Sequence, residues 1–115
     1  MPSTVRIFHN PQCSKSREAL DYLKERGIEP EVIEYLKSPP TIEELRSLVK
    51  MLGVAPSSIV RTSDFERLGL APAHDAEGWL ALIAAHPVLL ERPIVVVDDR
   101  ARIARPVDQL YDFLP

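Results

Sequence analysis

The chain has 115 residues, 45% of them hydrophobic and 27% charged, and a formal net charge of −3. That make-up describes one globular domain, long enough to bury roughly two-thirds of the surface its unfolded chain exposes without disulfides or a structural metal. Small net acidity with mixed signs excludes a global nucleic-acid footprint, and no apolar run approaches the roughly 20 residues that span a bilayer, the longest being the interrupted segment 79–90.

In chain order, Thr4 to Phe8 alternates and is β-branched, which predicts a strand ended by the polar turn His9-Asn10-Pro11. A helix follows, with Cys13 or Ser14 near its N-cap, an apolar face of Ala19, Leu20, Tyr22 and Leu23, and Gly27 just past its end. Glu31 to Tyr35 predicts a second strand and Ser38-Pro39-Pro40 a turn. Thr41 with Glu44 three residues on has the form of a capping box for a helix through Leu52.

The middle predicts short helices over Pro56 to Val60 and Asp64 to Leu68. A longer amphipathic helix is expected over Asp75 to His86, with Trp79, Leu82 and Ile83 on its apolar side. Pro93 to Val97 is a continuous β-branched run suited to a buried strand, Asp98-Asp99 a turn, and Arg102 to Ala104 the hairpin partner. Pro106 is expected at the first position of a terminal helix through Leu110 and Phe113. The element order is that of a thioredoxin-like α/β fold with a mixed four-stranded sheet. It forms a single domain over residues 1–115, with a helical insertion at about 41–90 between the second and third strands.

Cys13 is the only cysteine. It fits a reducing compartment, and with no basic-then-apolar targeting pattern in Met1 to Phe8 the expected location is the cytoplasm. A buried lone cysteine usually serves as a small hydrophobe. Cys13 instead stands among Gln12, Ser14, Lys15 and Ser16 at a strand-to-helix junction, where unpaired N–H groups and the helix dipole stabilise a thiolate. His9, Lys15 and Arg17 are near in sequence, and a cation close to the sulfur would act in the same direction. His74 and His86 have no metal-ligand spacing, and one cysteine supports no zinc site, so no metal is expected. Trp79 is expected in the core, and the histidines at the surface or at helix caps.

The stretch IFHNPQCSKSRE, the prolines at 39 and 40, Arg61 in IVRTSD, RPIVV at 92–96 and ARP at 104–106 together resemble the ArsC arsenate reductase family, in its glutaredoxin-dependent branch. The resemblance runs from about Val5 to the C-terminus. It implies Cys13 as nucleophile, His9 as the histidine preceding it, and Arg61, Arg92 and Arg105 as oxyanion-binding arginines. It further implies attack of the Cys13 thiolate on arsenate, reaction of the adduct with glutathione as co-substrate with no bound cofactor, and reduction of the mixed disulfide by glutaredoxin. By analogy with thioredoxin-like folds, a cis peptide is expected at Arg92–Pro93.

Residue chemistry is consistent with those roles. Guanidinium groups bind a polyoxoanion in bidentate fashion and offset the repulsion between an anionic nucleophile and an anionic substrate. A lone thiol cannot close an intramolecular disulfide, so part of the reducing power must come from an external thiol. Arg26, Arg46 and Arg67 are expected to be solvated surface groups. His9 is open between two roles, an imidazolium that stabilises the thiolate and a neutral base.

Two alternatives stand beside arsenate reduction. CSKS occupies the loop where reductases of the branch have CGTS, which leaves room for an ArsC-like thiol oxidoreductase of another substrate. Spx-like regulators share the fold and bind RNA polymerase, but their redox switch is CxxC and here the second position is Ser16. With no heptad repeat or long apolar surface stripe, a monomer is expected.

Overall fold

The computed structural model describes residues 3–115, which form two compact units, residues 3–38 with 92–115 and residues 39–91.

The first unit carries the sheet. Strand β1 (Val5–His9), helix α1 (Ser14–Glu25) and strand β2 (Glu31–Glu34) come from its N-terminal part, and strands β3 (Ile94–Val97) and β4 (Arg100–Ile103) from its C-terminal part. The strand order is β2-β1-β3-β4, with β1 parallel to β2 and antiparallel to β3, and β3 antiparallel to β4. The mixed four-stranded sheet is therefore as expected. Strand β3 is buried along its whole length, which explains why it is an unbroken β-branched run and not an alternating one.

One face of the sheet packs against α1. Val5 and Ile7 of β1 and Val95 and Val97 of β3 cluster with Ala19 and Leu23 of the helix, and Ala104, Leu110 and Phe113 complete the cluster. The helix buries Ser16, Ala19 and Leu23, spaced three and four apart as one face requires. It ends in a Schellman motif. Ile28 N–H donates to Leu23 O at 3.0 Å and Gly27 N–H to Lys24 O at 2.9 Å, with Gly27 at φ +75°, a conformation that favours glycine.

Two expectations for this unit need correction. Strand β4 starts at Arg100, directly after the Asp98-Asp99 turn, in which Asp98 has φ 55°, and not at Arg102. Arg100 and Arg102 conceal an edge strand whose intervening Ala101 faces inward at 9% exposure. The terminal helix is a single 3-10 turn over Val107–Leu110 with Pro106 at its N-cap, not at its first position. Leu110 and Phe113 are three apart, a spacing that successive tight turns accommodate as well as an α-helix does.

The second unit comprises α2 (Ile42–Leu52), a 3-10 turn over Pro56–Ile59, α3 (Thr62–Arg67), α4 (Ala76–Ala85) and a 3-10 turn over Pro87–Leu89. The capping box on α2 is formed as expected. Thr41 Oγ1 accepts from Glu44 N–H at 3.1 Å and Glu44 Oε1 accepts from Thr41 N–H at 3.3 Å. Leu45, Leu48 and Val49 of α2 and Leu80 and Ile83 of α4 are buried. Trp79 and Leu82 are only half-buried. The buried stripe of α4 is thus Leu80 and Ile83, and Trp79 sits at its margin against Phe65 at 5.5 Å between ring centroids. His86 caps α4 and His74 is exposed, as expected.

Candidate active site

Strand β1 delivers the chain into a tight turn. Cys13 N–H donates to Asn10 O at 3.0 Å, and Asn10 Oδ1 accepts from Gln12 N–H at 3.0 Å, an Asx turn that sets the path of the loop. Arg17 Nη1 donates to Pro11 O at 2.8 Å and Arg17 N–H to Cys13 O at 3.0 Å, joining the turn to the first coil of α1. Cys13 is the N-cap of α1, with φ −95° and ψ 122°.

Ser16, fully buried in that first coil, locks the turn from behind. Its Oγ accepts the Asn10 N–H at 3.0 Å and shares a hydrogen bond of 2.6 Å with His9 Nδ1. Either tautomer of the neutral imidazole can make this bond. Burial pushes the His9 pKa down, with Lys24 and Arg17 adding to that direction and Glu34 and Asp21 only partly opposing it, so the ring is neutral at neutral pH. Of the two roles open for His9, the imidazolium partner of the thiolate is therefore not supported. Among the described residues no hydrogen bond joins His9 to Cys13, and the histidine reaches the cysteine through Ser16.

The sulfur itself sits at the start of the helix, half-buried. As a neutral thiol it makes no capping hydrogen bond, but the N–H groups ahead of it favour the charged form. Burial pushes the Cys13 pKa up, the N–H groups of Ser16 and Lys15 and the Arg92 guanidinium push it down, and the downward effects win. Arg105 Nη1 lies 3.9 Å from Sγ. The side chains of Lys15 and Arg17 are engaged away from the sulfur. Lys15 Nζ lies 3.9 Å from Glu18, and Arg17 is engaged with Pro11.

The register of the sheet explains how two arginines distant in sequence reach one thiol. Ile94 pairs with Ile103, and Ala104 N–H donates to Pro93 O at 2.9 Å, so the hairpin continues past its strands and sets Arg92 opposite Arg105. Phe8 pairs with Ile94, which aligns the end of β1 and its turn with the same end of the hairpin. Arg92–Pro93 is cis, as expected, and Arg105–Pro106 is cis as well. Arg92 is 9% exposed while Arg105 is open to solvent. Arg61 belongs to the second unit, where it is the N-cap of α3, its N–H donates to Leu89 O at 2.7 Å and its Nε lies 3.6 Å from Asp64.

A single activated thiol flanked by guanidinium groups can attack an electrophilic oxoanion and hold the charge of the product. The family model for ArsC, described as the ArsC family, matches residues 8–113. The chain belongs to the ArsC family. An arsenate reductase of Neisseria meningitidis is 46% identical over 110 residues, covering 92% of this chain and 94% of the relative. The protein YfgD of Escherichia coli K12, described as uncharacterized, is 42% identical over 118 residues and 99% of both chains. A solved structure of an arsenate reductase from Vibrio cholerae superposes with a TM-score of 0.90 at 40% identity, covering 99% of this chain and 100% of that one. This ArsC chain thus shares the thioredoxin-like architecture with that structure over nearly its whole length.

In the sequence Ser16 stood out as a polar neighbour of Cys13 and as the residue standing where a second cysteine would be. Its part as the buried link between His9, Asn10 and the helix was missed. The available signal was its place three residues after the N-cap, on the same side of the helix as Cys13.

Proposed function

We propose that this chain reduces arsenate to arsenite through Cys13, with glutathione and glutaredoxin as the external reductants. The observation that carries the reading is the joint placement of the Cys13 thiolate, the helix N–H groups behind it and the Arg92 and Arg105 guanidiniums beside it. Relatives described as arsenate reductases support the choice of oxoanion. Arg61 enters the proposal on the family motif as a third oxyanion-binding residue. His9 enters it as a positioning residue acting through Ser16.

In the first step the Cys13 thiol bonds to arsenic and water leaves, with no change of oxidation state. Glutathione then attacks Cys13 Sγ. A sulfur–sulfur bond forms, the sulfur–arsenic bond breaks with its electron pair staying on arsenic, As(V) becomes As(III), and the thiol proton leaves with arsenite. Glutaredoxin, a dithiol reductant, exchanges with the mixed disulfide and restores the Cys13 thiol. Arginine and helix N–H groups stabilise negative charge throughout, a contribution that grows where water is excluded. A reducing cytoplasm supplies both thiols, and the reaction requires only one copy of the chain.

The test is arsenate-dependent NADPH oxidation in the presence of glutathione, glutaredoxin and glutathione reductase, comparing the native chain with Cys13→Ser. Turnover in the native chain that disappears in the variant supports the reading. No response of the native chain to arsenate overturns it and leaves an ArsC-family thiol protein acting on another substrate.

A further inference from the structure

A cavity of about 340 Å³ lies against the loop that leads into Cys13. Residues 9–12 form one wall and Glu34, Leu36 and Lys37 the other. Its volume falls at the lower end of the range for small-ligand pockets, roughly 300–1,000 Å³. Two opposite charges stand together at its rim. Lys37 N–H closes a turn onto Glu34 O at 2.9 Å, and Lys37 Nζ lies 3.6 Å from Glu34 Oε1. The Lys37 side chain is 79% exposed, so its pairing with Glu34 is weak and readily exchanged for another carboxylate. Leu36 adds exposed apolar surface beside them.

The cavity also has a defined relation to the thiol. The hydrogen bond from Cys13 N–H to Asn10 O closes a β-turn, which brings the Cα atoms of those two residues within about 7 Å. In the strand order β2-β1-β3-β4, the cavity lies on the β2 side of the β1 loop and the two arginines come from the β3–β4 side. A nucleophile in the cavity and an oxoanion held by the arginines would thus come to the Cys13 loop from opposite edges of β1.

Resting on the reading of Cys13 given above, we propose that this cavity seats the peptide thiol that reduces the Cys13 adduct. The occupant is glutathione, a tripeptide carrying carboxylates, an ammonium and one thiol. A carboxylate takes the place of Glu34 at Lys37, the ammonium turns to Glu34, and the sulfur faces Cys13 Sγ. The bond changes are those of the second step already written, so the seat requires no further reactant.

The test avoids arsenate altogether. Cys13 is allowed to exchange with 2-hydroxyethyl disulfide, a small neutral probe that forms a mixed disulfide and releases one mercaptoethanol, and S-methylglutathione, which has no free thiol, is titrated in. Saturable slowing of the exchange in the native chain, weakened at least tenfold in Lys37→Glu and in Leu36→Trp, supports the seat. No slowing, or slowing of equal affinity in the variants, overturns it. Arsenate turnover without protection removes the seat and leaves the reading of Cys13. Protection that depends on Lys37 without arsenate turnover removes that reading and leaves the seat.

Discussion

Ser16→Ala is the sharpest test of how the thiol loop is built. Ser16 Oγ is a partner to two buried groups, the Asn10 N–H in a residue 7% exposed and the His9 ring in a residue 5% exposed. Alanine removes both hydrogen bonds and leaves the Asn10 N–H facing a methyl group. A net hydrogen-bond contribution near 1 kcal/mol for the His9 contact, together with about 1–3 kcal/mol for the Asn10 donor left buried and unsatisfied, gives a destabilisation of about 2–4 kcal/mol. At about 4 °C per kcal/mol for a domain of this size, Tm should fall by roughly 8–16 °C. Urea unfolding followed by far-UV circular dichroism gives the free energy directly. Ser14→Ala, at an exposed neighbouring position, should change stability by less than about 0.5 kcal/mol. A double-mutant cycle with His9→Ala should show non-additivity on the order of 1 kcal/mol. A loss below about 0.5 kcal/mol in Ser16→Ala would refute the network.

Three further predictions concern protons and caps. Because the Cys13 pKa is lowered, its alkylation by iodoacetamide should reach half-maximal rate at a lower pH than free cysteine does, and Arg92→Gln should move that midpoint upward; an unmoved midpoint would remove Arg92 from the thiolate's environment. His9 is held neutral by burial, so the unfolded chain takes up its proton first. Its contribution to stability is then complete above the unfolded-state pKa of about 6.5 and declines as pH falls toward the lower folded-state value, a slope that His9→Ala should flatten in denaturant titrations across that window. Thr41→Ala breaks the capping box of α2 and should cost about 1 kcal/mol in urea unfolding.

What could be seen in the sequence was mostly local. The capping box of Thr41 and Glu44 and the helix end at Gly27 lie within a few residues of the backbone groups they satisfy, so the residue types alone announce them. The Cys13 position at a strand-to-helix junction was legible for the same reason. Strand β4 and the end of the chain were misjudged where one pattern serves two structures, alternating arginines at an edge strand and a three-residue apolar spacing in tight turns. The meeting of Arg92 with Arg105 is a matter of register between strands far apart in the chain. Apart from the proline after each arginine, only the family resemblance pointed to both residues.

The order in which the thiol's partners come off the ribosome follows from the sheet. Helix α1, with its N–H groups, is made within a dozen residues of Cys13, but the guanidiniums arrive only with residues 92 and 105, after the whole of the second unit. Strand β1 likewise waits for β3 to complete its pairing on one side. A nascent chain stopped before residue 92 would carry the cysteine in the full motif with the N–H groups of α1, yet lack the two guanidiniums that add to them. The full reactivity of the thiol is in this sense a report that synthesis and folding have passed residue 105, and shorter chains expose a less activated cysteine.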